Sequence, residues 1–339
     1  MKYYYQIEGL LRNNLGDIIQ GIAAKQFLPK NAIAIDRERP DLVGNEAGFL
    51  IANGWYQHHF DHYPPPKHII PFFISVHIAK SDFIKSPSIR SYFKQNSPIG
   101  CRDTKTLWLL RGFGIPAYYS GCLTLTINPA VKQSVQKTTV LWVDNIDHPI
   151  PYPVEKKIEE LIPYDISKIN HNPISINSSF EEYNELNLNR ANELLATYKN
   201  AKLVLTSKIH CALPCIAMGV PVILIHPNPK DPRLQILHKL IKVVSYEELM
   251  NLARLPEPVI NKWNLLKIQK NLIHLTQLAV KYHSNPFHQK GETLLQIKRM
   301  YYQLVSNLTS TFIKLCWKTG IYKKQLERIF GLSYLNEKN

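Results

Sequence analysis

Residues 201–225 read AKLVLTSKIHCALPCIAMGVPVILI, and their pattern decides the fold. Leu203, Val204 and Leu205 make a short apolar strand. Thr206–His210 is a turn, Cys211–Met218 a helix, Gly219 its stop, and Val220–Ile225 the next strand. Pro214 bears on where the helix begins. Proline has no N–H, and its ring clashes with the carbonyl four residues earlier, so it is tolerated near a first turn. The spacing therefore predicts a start at His210 or Cys211. Strand, turn, helix and strand in succession build parallel sheets with helices on both faces.

The same unit recurs on either side. TTVLWV, at 138–143, is a β-branched apolar strand that ends at Asp144-Asn145. Helices at Val154–Leu161 and Asn189–Lys199 follow. Nearer the start, Asn13-Asn14-Leu15-Gly16-Asp17 leads into IIQGIAAKQFL, where Ile18, Ile19, Ile22, Ala23 and Phe27 keep helical spacing. Asp17 is the expected cap of that helix, with Gln20 three residues on as in a capping box. Short strands are expected at Ala32–Ile35, Gly48–Ala52, Ile69–Val76 and Ala117–Tyr119. Asp103 is the expected cap of a helix from Thr104 to Arg111. The polar stretch 128–138 reads as a junction. The expected fold class is α/β: two Rossmann-like domains, 1–130 and 138–255, facing across a cleft. A basic helical segment, 256–339, would pack back across both.

Of 339 residues, 45% are hydrophobic and 20% charged, a globular composition that excludes a disordered chain. The formal net charge of +15 points to an anionic partner: phosphate, nucleic acid, acidic glycan or membrane lipid. From Asn261 onward, 13 Lys and Arg face only Glu292, Glu327 and Glu337. In that quarter Phe312, Leu315, Trp317, Ile321 and Tyr322 alternate with Lys314, Lys318, Lys323, Lys324 and Arg328. Such a mixture suits an anionic membrane surface, giving an expected placement at the inner face of a membrane. It equally suits a helix docked on the domains with a solvated basic face. The start, MKYYYQIEGLLRNN, does not read as a signal peptide. No apolar run is long enough to span a bilayer. Five cysteines without paired CxxC units fit a reducing cytoplasm. Cys211 and Cys215 beside His210 invite a zinc reading, outweighed by that of two small buried helix residues. His58, His59, Asp61 and His62 resemble a metal cluster but read as a solvated loop before Pro64. No metal is expected.

In open parallel sheets, ligands bind beyond the carboxyl ends of the strands. That rule selects Asn13–Asp17, His77, Arg102–Asp103, Ser120–Cys122, Asp144–Asn145 and Ser207–His210. Ser207, Lys208 and His210 surround a helix N-terminus, whose free N–H groups and partial positive charge favour an anion. Lys208 adds a full charge. Histidine has the pKa range needed to pass a proton near neutral pH; a lone His is more often structural, but the place of His210 beside Lys208 and a helix end brings the catalytic reading level with the structural one. Arg102 could grip a carboxylate or phosphate, or serve as a surface ion pair. Asp17 and Asp103 read first as helix caps. Gly16 and Gly121 either serve turns or let a ligand reach the backbone. There is no GxGxxG after a strand, no GxxxxGK[ST], no HExxH and no GxSxG, which argues against ordinary NAD, ATP, zinc-protease and hydrolase readings.

At these turns the sequence resembles the polysaccharide pyruvyl transferase family. The resemblance rests on NNLGDIIQGIAA, FFISVHI, IGCRDTKTLWLLRGFGI with YYSGCLTLT, and residues 201–225, and covers roughly residues 10 to 226. It implies two Rossmann-like domains of the glycosyltransferase-B type. It implies phosphoenolpyruvate as donor and co-substrate, no further cofactor, and the sugar hydroxyls of a bacterial surface polysaccharide, or of its lipid-linked precursor, as acceptor. Lys208-Ile209-His210 matches the family's basic–apolar–His motif. Some members carry Arg at the basic position, so Lys208 shifts the expected donor grip toward Arg102. The resemblance makes His210 the candidate general acid. Asp17 or Asp144 would orient or deprotonate the acceptor. Asn14, Gly16, His77, Ser120, Gly121 and Ser207 complete the expected binding set. The competing readings are a nucleotide-sugar-dependent glycosyltransferase on the same fold and a non-catalytic basic binding protein, the latter without a recognisable nucleic-acid motif.

Overall fold

A parallel sheet needs a crossover after each strand, and helices supply nearly all of them in this chain. The computed structural model describes residues 1–9, 14–56, 59–128, 139–144, 150–162, 165–175 and 177–319. Its strands are β1 (Lys2–Ile7), β2 (Ile33–Asp36), β3 (Gly48–Tyr56), β4 (Ile69–Ile78), β5 (Ile99–Cys101), β6 (Ala117–Tyr119), β7 (Val140–Asp144), β8 (Ile166–Asn170), β9 (Leu203–Thr206), β10 (Val222–His226) and β11 (Val243–Ser245). Its helices are α1 (Leu15–Lys25), α2 (Asp82–Lys85), α3 (Pro87–Gln95), α4 (Thr104–Gly112), α5 (Tyr152–Leu161), α6 (Phe180–Lys199), α7 (Ile209–Ala217), α8 (Gln235–His238), α9 (Tyr246–Met250), α10 (Lys262–Tyr282) and α11 (Thr293–Thr319).

The strands form two separate sheets, in the orders β2-β1-β3-β4-β5-β6 and β11-β10-β9-β7-β8. Pairing is parallel along β1, β3, β4, β5 and β6 and throughout the second sheet. The two-sheet α/β architecture read from the sequence is therefore present.

The chain divides into two compact units, and the division is not linear. The first holds Met1–Gln6, Phe27–Gly121 and the chain from His274. The second holds Ile7–Gln26 and Cys122–Ile273. Two differences from the sequence-based boundaries follow. Helix α1 belongs to the second unit, because it packs against α6, α7 and the 3-10 turn Leu123–Thr126. The C-terminal helix α11 belongs to the first, because it packs on α4 and β6. Of the four passages between units, the one nearest the expected junction falls at Gly121–Cys122; residues 129–138 of that junction lie outside the described residues.

Each unit has its own core. In the first, Tyr56, Tyr63, Phe73, Phe83 and Phe93 cluster, with Phe73 and Phe93 stacked at 4.6 Å between ring centroids. In the second, Trp142, Leu205, Ile223, Ile225 and Val244 line the sheet under Val154 and Ile158 of α5. Each such buried apolar side chain contributes roughly 1.5–3 kcal/mol relative to exposure. Among the described residues, no helix is long and apolar enough to cross a membrane.

Candidate active site

In the second sheet the strand order reverses between β7 and β9, because β8 lies on one side of β7 and β9 on the other. A ligand crevice is expected beyond the carboxyl ends of strands at such a reversal. Asp144 ends β7, and Ser207 and Lys208 follow β9. The three meet there. Ser207 Oγ donates to Asp144 Oδ1 at 2.8 Å, and Lys208 Nζ pairs with the same oxygen at 3.1 Å. The turn is held from below. Thr206 Oγ1 donates to the Val143 carbonyl at 2.7 Å and accepts from the Lys208 N–H at 3.0 Å. Lys208 is thus no isolated cation; its charge is shared with Asp144.

Lys208 is the N-cap of α7, which begins at Ile209 rather than at His210 or Cys211. Pro214 consequently lies inside the helix, where it has no N–H to give to the His210 carbonyl one turn back. The start lies one residue before the expected region around His210, which sets Pro214 deeper in the helix, where Pro214, Cys215 and Ile216 are all buried. Gly219, at φ 71°, ends the helix, with the Val220 N–H returning to the Cys215 carbonyl at 2.8 Å.

The ring of His210 is walled on two sides. Toward Nδ1 stands Gly16: a Cβ there would lie 2.9 Å from that nitrogen. Toward Nε2 stands the buried Cys122, whose Sγ is 3.9 Å away and 3.1 Å from Thr124 Oγ1. Helix α1 is set in place by Asn14, whose Oδ1 accepts from the Gly16 N–H at 2.9 Å. Asn14, not Asp17, is therefore the cap. Asparagine caps as well as aspartate does, and Leu15 and Gly16 already follow the helical path. Asp17 is buried in the first turn, accepting from Gln20 Nε2 at 3.1 Å. The far end of α1 is tied by Gln26 Nε2, which donates to Thr126 Oγ1 at 2.8 Å. Asn13 and Asn145 lie outside the described residues.

Two residues near this cluster gain their partners only in the fold. Cys122 was selected with the turn Ser120–Cys122, but nothing local pairs it with a histidine 88 positions away. His171 was missed with its strand, the half-polar β8. Its N–H donates to the Asp144 carbonyl at 2.8 Å, and its ring Nδ1 meets the Tyr198 hydroxyl at 2.9 Å. Burial, then the charges of Lys208 and Arg190, push its pKa down to about 3, so the imidazole is neutral.

The remaining predicted residues, His77, Arg102, Ser120 and Gly121, gather in the first unit. Asp103 caps α4 as expected: Oδ1 accepts from the Thr106 N–H at 2.8 Å. Its other oxygen meets His77 Nδ1 at 2.6 Å. Burial raises the Asp103 carboxyl, but the His77 and Thr106 hydrogen bonds outweigh it and hold the pKa below the usual carboxylate value. The His77 ring packs on Trp55 at 4.6 Å. Just before His77, β4 takes one more residue than β3, with Ser75 at φ 59° opposite the irregularity at Ala52/Gly54. Such bulges re-aim side chains near functional sites. Ser120 is a structural clasp: its Oγ accepts from the Ser75 N–H at 3.1 Å and lies 3.1 Å from the Cys101 carbonyl. Arg102 is buried, its N–H bonded to the Val76 carbonyl at 3.0 Å.

All five cysteines are free thiols, and Cys211 and Cys215 lie one turn apart, buried in α7. Among the described residues, no three His, Cys, Asp or Glu side chains group as metal ligands. His62 instead pairs with Asp41 at 3.3 Å, and His58 lies outside the described residues.

The family model that matches this chain is described as polysaccharide pyruvyl transferase, and it covers residues 14–229. That range holds every residue of both clusters. Among solved structures, a functionally uncharacterized protein of Klebsiella pneumoniae subsp. pneumoniae NTUH-K2044 aligns with 13% identity and a TM-score of 0.39. The alignment covers 69% of this chain and 86% of that one. The glycotransferase of kitacinnamycin aligns with 11% identity and a TM-score of 0.26, over 58% of this chain and 49% of that one. No curated protein matches the chain.

Proposed function

The chain belongs to the polysaccharide pyruvyl transferase family, and from that membership we propose that it moves the pyruvyl group of phosphoenolpyruvate onto two hydroxyls of one sugar. The observation that carries this reading is the meeting of Asp144, Ser207 and Lys208 at the strand-order reversal, with His210 in the first turn of the helix that starts there. An N-terminal helix turn and a lysine suit the donor's phosphate or carboxylate. His210 suits a proton donor near neutral pH.

His210 gives a proton to the methylene carbon of phosphoenolpyruvate, which becomes a methyl group, and positive character develops at the adjacent carbon. A sugar hydroxyl adds there and loses its proton to a base. The carbon–oxygen bond to phosphate breaks, and phosphate departs with the electron pair. A second hydroxyl of the same sugar adds, loses its proton, and closes the ketal. Asp144 is the candidate to orient or deprotonate an acceptor hydroxyl, through the oxygen it shares with Ser207 and Lys208. The buried Asp17, already bonded to Gln20, suits that role less well. Arg102 is assigned to the donor's carboxylate, a role its own substitution tests.

The acceptor in this reading is a bacterial surface polysaccharide or its lipid-linked precursor, modified on the cytoplasmic side. No metal or nucleotide is required, since the chain's own cations carry the donor's charge. Turnover is then expected to survive EDTA. The deciding experiment incubates the chain with phosphoenolpyruvate and candidate glycans. Phosphate release together with the mass gain of a ketal supports the reading. Release of a nucleoside diphosphate from a nucleotide sugar, with none from phosphoenolpyruvate, would replace it with a glycosyltransferase.

A further inference from the structure

Helix α11 turns to solvent the kind of face that an amphipathic helix ordinarily buries. Leu294, Ile297, Tyr301, Leu304, Leu308 and Leu315 recur at intervals of three, four or seven residues, which places them on one side. Each is more than half exposed. The opposite side is the one that docks. Ser306 Oγ donates to the Ile115 carbonyl at 3.0 Å, and Leu295, Ile313 and Cys316 are buried. That seam fixes the roll of the helix, so the apolar stripe stays outward.

The charges on α11 say what the stripe meets. Its 27 residues contain Lys298, Arg299, Lys314 and Lys318 and no acidic residue. Arg299, Lys314 and Lys318 are exposed, and Lys298 is partly so. With 3.6 residues per turn, Lys298 and Lys318 fall about 80° to either side of the stripe, while Lys314 lies farther round and Arg299 lies on the docked side with Leu295 and Ser306. A second copy of the helix would add its own flanking cations and no acidic residue to meet them. A surface of negative charge meets both Lys298 and Lys318. The stripe runs about 30 Å at roughly 1.5 Å per residue, and no helix among the described residues is apolar enough to cross a bilayer.

We infer that α11 lies flat on an anionic lipid bilayer, its apolar stripe at the boundary of headgroups and acyl chains and the flanking Lys298 and Lys318 among the lipid phosphates. The inference does not rest on the pyruvyl-transfer reading, and its test reads lipid binding rather than turnover.

The test is flotation of the full chain with vesicles of phosphatidylglycerol and phosphatidylcholine, or of phosphatidylcholine alone. Two variants accompany it: Leu304→Ser with Leu308→Ser, and Lys298→Gln with Lys318→Gln. All these positions are at least partly exposed, and circular dichroism checks that each variant is folded. The native chain should float with anionic vesicles at low salt and not with neutral ones. The serine variant should lose binding by roughly tenfold or more. The glutamine variant should lose roughly fivefold per charge removed. The sequence after Thr319 is the same in all three proteins, so these losses belong to α11. Native-level flotation of both variants, or none by the native chain, overturns the inference. So does a lipid-free dimer, seen by light scattering, that the serine variant converts to monomer.

Discussion

A Cβ placed on Gly16 would stand 2.9 Å from Nδ1 of His210 and 3.1 Å from its Cβ. Carbon does not tolerate such an approach, so the first turn of α1 can serve as a wall for His210 only while residue 16 has no side chain. The backbone has little room to withdraw, because its own N–H is committed to Asn14 Oδ1 at 2.9 Å. Gly16→Ala should therefore displace the imidazole and also press on the Asn14 cap, whose Oδ1 would stand 2.9 Å from the new Cβ. A misplacement of about 1 Å in a catalytic group costs on the order of 100-fold, and a loss in kcat of that size is expected. Thermal stability should fall modestly, since a disturbed cap costs about 0.5–2 kcal/mol and alanine returns about 0.5–1 kcal/mol over glycine. Native turnover in a folded Gly16→Ala protein would show that the contact has no catalytic meaning.

His210→Ala should lower turnover by roughly 100- to 10,000-fold, the usual contribution of a general acid. Lys208→Ala should act differently, raising the donor's KM more than it lowers kcat. It also strips Asp144 of the partner 3.1 Å away, leaving a carboxylate where the donor's anionic group is proposed to bind. Adding Asp144→Asn should recover part of the lost affinity. Steady-state kinetics on the two single variants and the double variant give the coupling directly. Strict additivity would mean that Asp144 and Lys208 do not share the donor's charge.

The legible parts of this molecule were those written in local pattern. Strands β7, β9 and β10 are continuous apolar runs, Asp103 sits where a cap belongs, and Gly219 ends α7 as read. What escaped was set by distant partners. Asn14 and Asp17 are both chemically able to cap α1, and only the packed helix decides for Asn14. Pro214 is set deeper in α7 because the helix starts before the expected region, and it is buried there. The assignment of α1 to the second unit depends on contacts with α6 and α7, more than 150 residues away. Cys122 and His171 join the cluster through residues far along the chain, which a linear reading does not supply.

Asp103 offers a test in the first unit. It caps α4 and holds His77, and it is fully buried. Asp103→Ala removes a cap, worth about 0.5–2 kcal/mol, and a buried charged hydrogen bond, worth about 1.5–3 kcal/mol. Urea unfolding should show a loss of about 2–5 kcal/mol. Asp103→Asn keeps an oxygen for the Thr106 N–H and should lose less. Equal losses would mean that the cap contributes little and the charge nearly everything.

Arg102→Ala bears on the donor rather than on the fold. Its guanidinium is assigned to a carboxylate, a group that a planar fork holds with two parallel bonds. The expected result is a raised KM for phosphoenolpyruvate with a smaller change in kcat. Arg102→Lys keeps the charge without the fork and should recover only part of the affinity. An unchanged donor KM in both variants would remove Arg102 from the donor site and leave it a structural role.

His171 makes the second unit sensitive to acid. In the fold its pKa is pushed down to about 3, first by burial and then by the charges of Lys208 and Arg190. In the unfolded chain it returns to the usual value of about 6.5. Between those two values the unfolded state holds a proton that the folded state refuses. Stability contributed by the neutral imidazole is therefore complete above about pH 6.5 and is lost progressively as the pH falls toward 3. Well inside that window the loss is about 1.4 kcal/mol per pH unit, or on the order of 2 kcal/mol by pH 5. His226 and His288 are also shifted downward by burial, so the native protein carries their slopes as well. Comparison with His171→Gln isolates the one residue, because the other histidines are common to both proteins. Urea unfolding at pH 7, 6 and 5 should show a shallower pH dependence in the variant. Identical slopes would mean that His171 takes up its proton inside the folded chain, within reach of the Asp144 backbone and the Tyr198 hydroxyl.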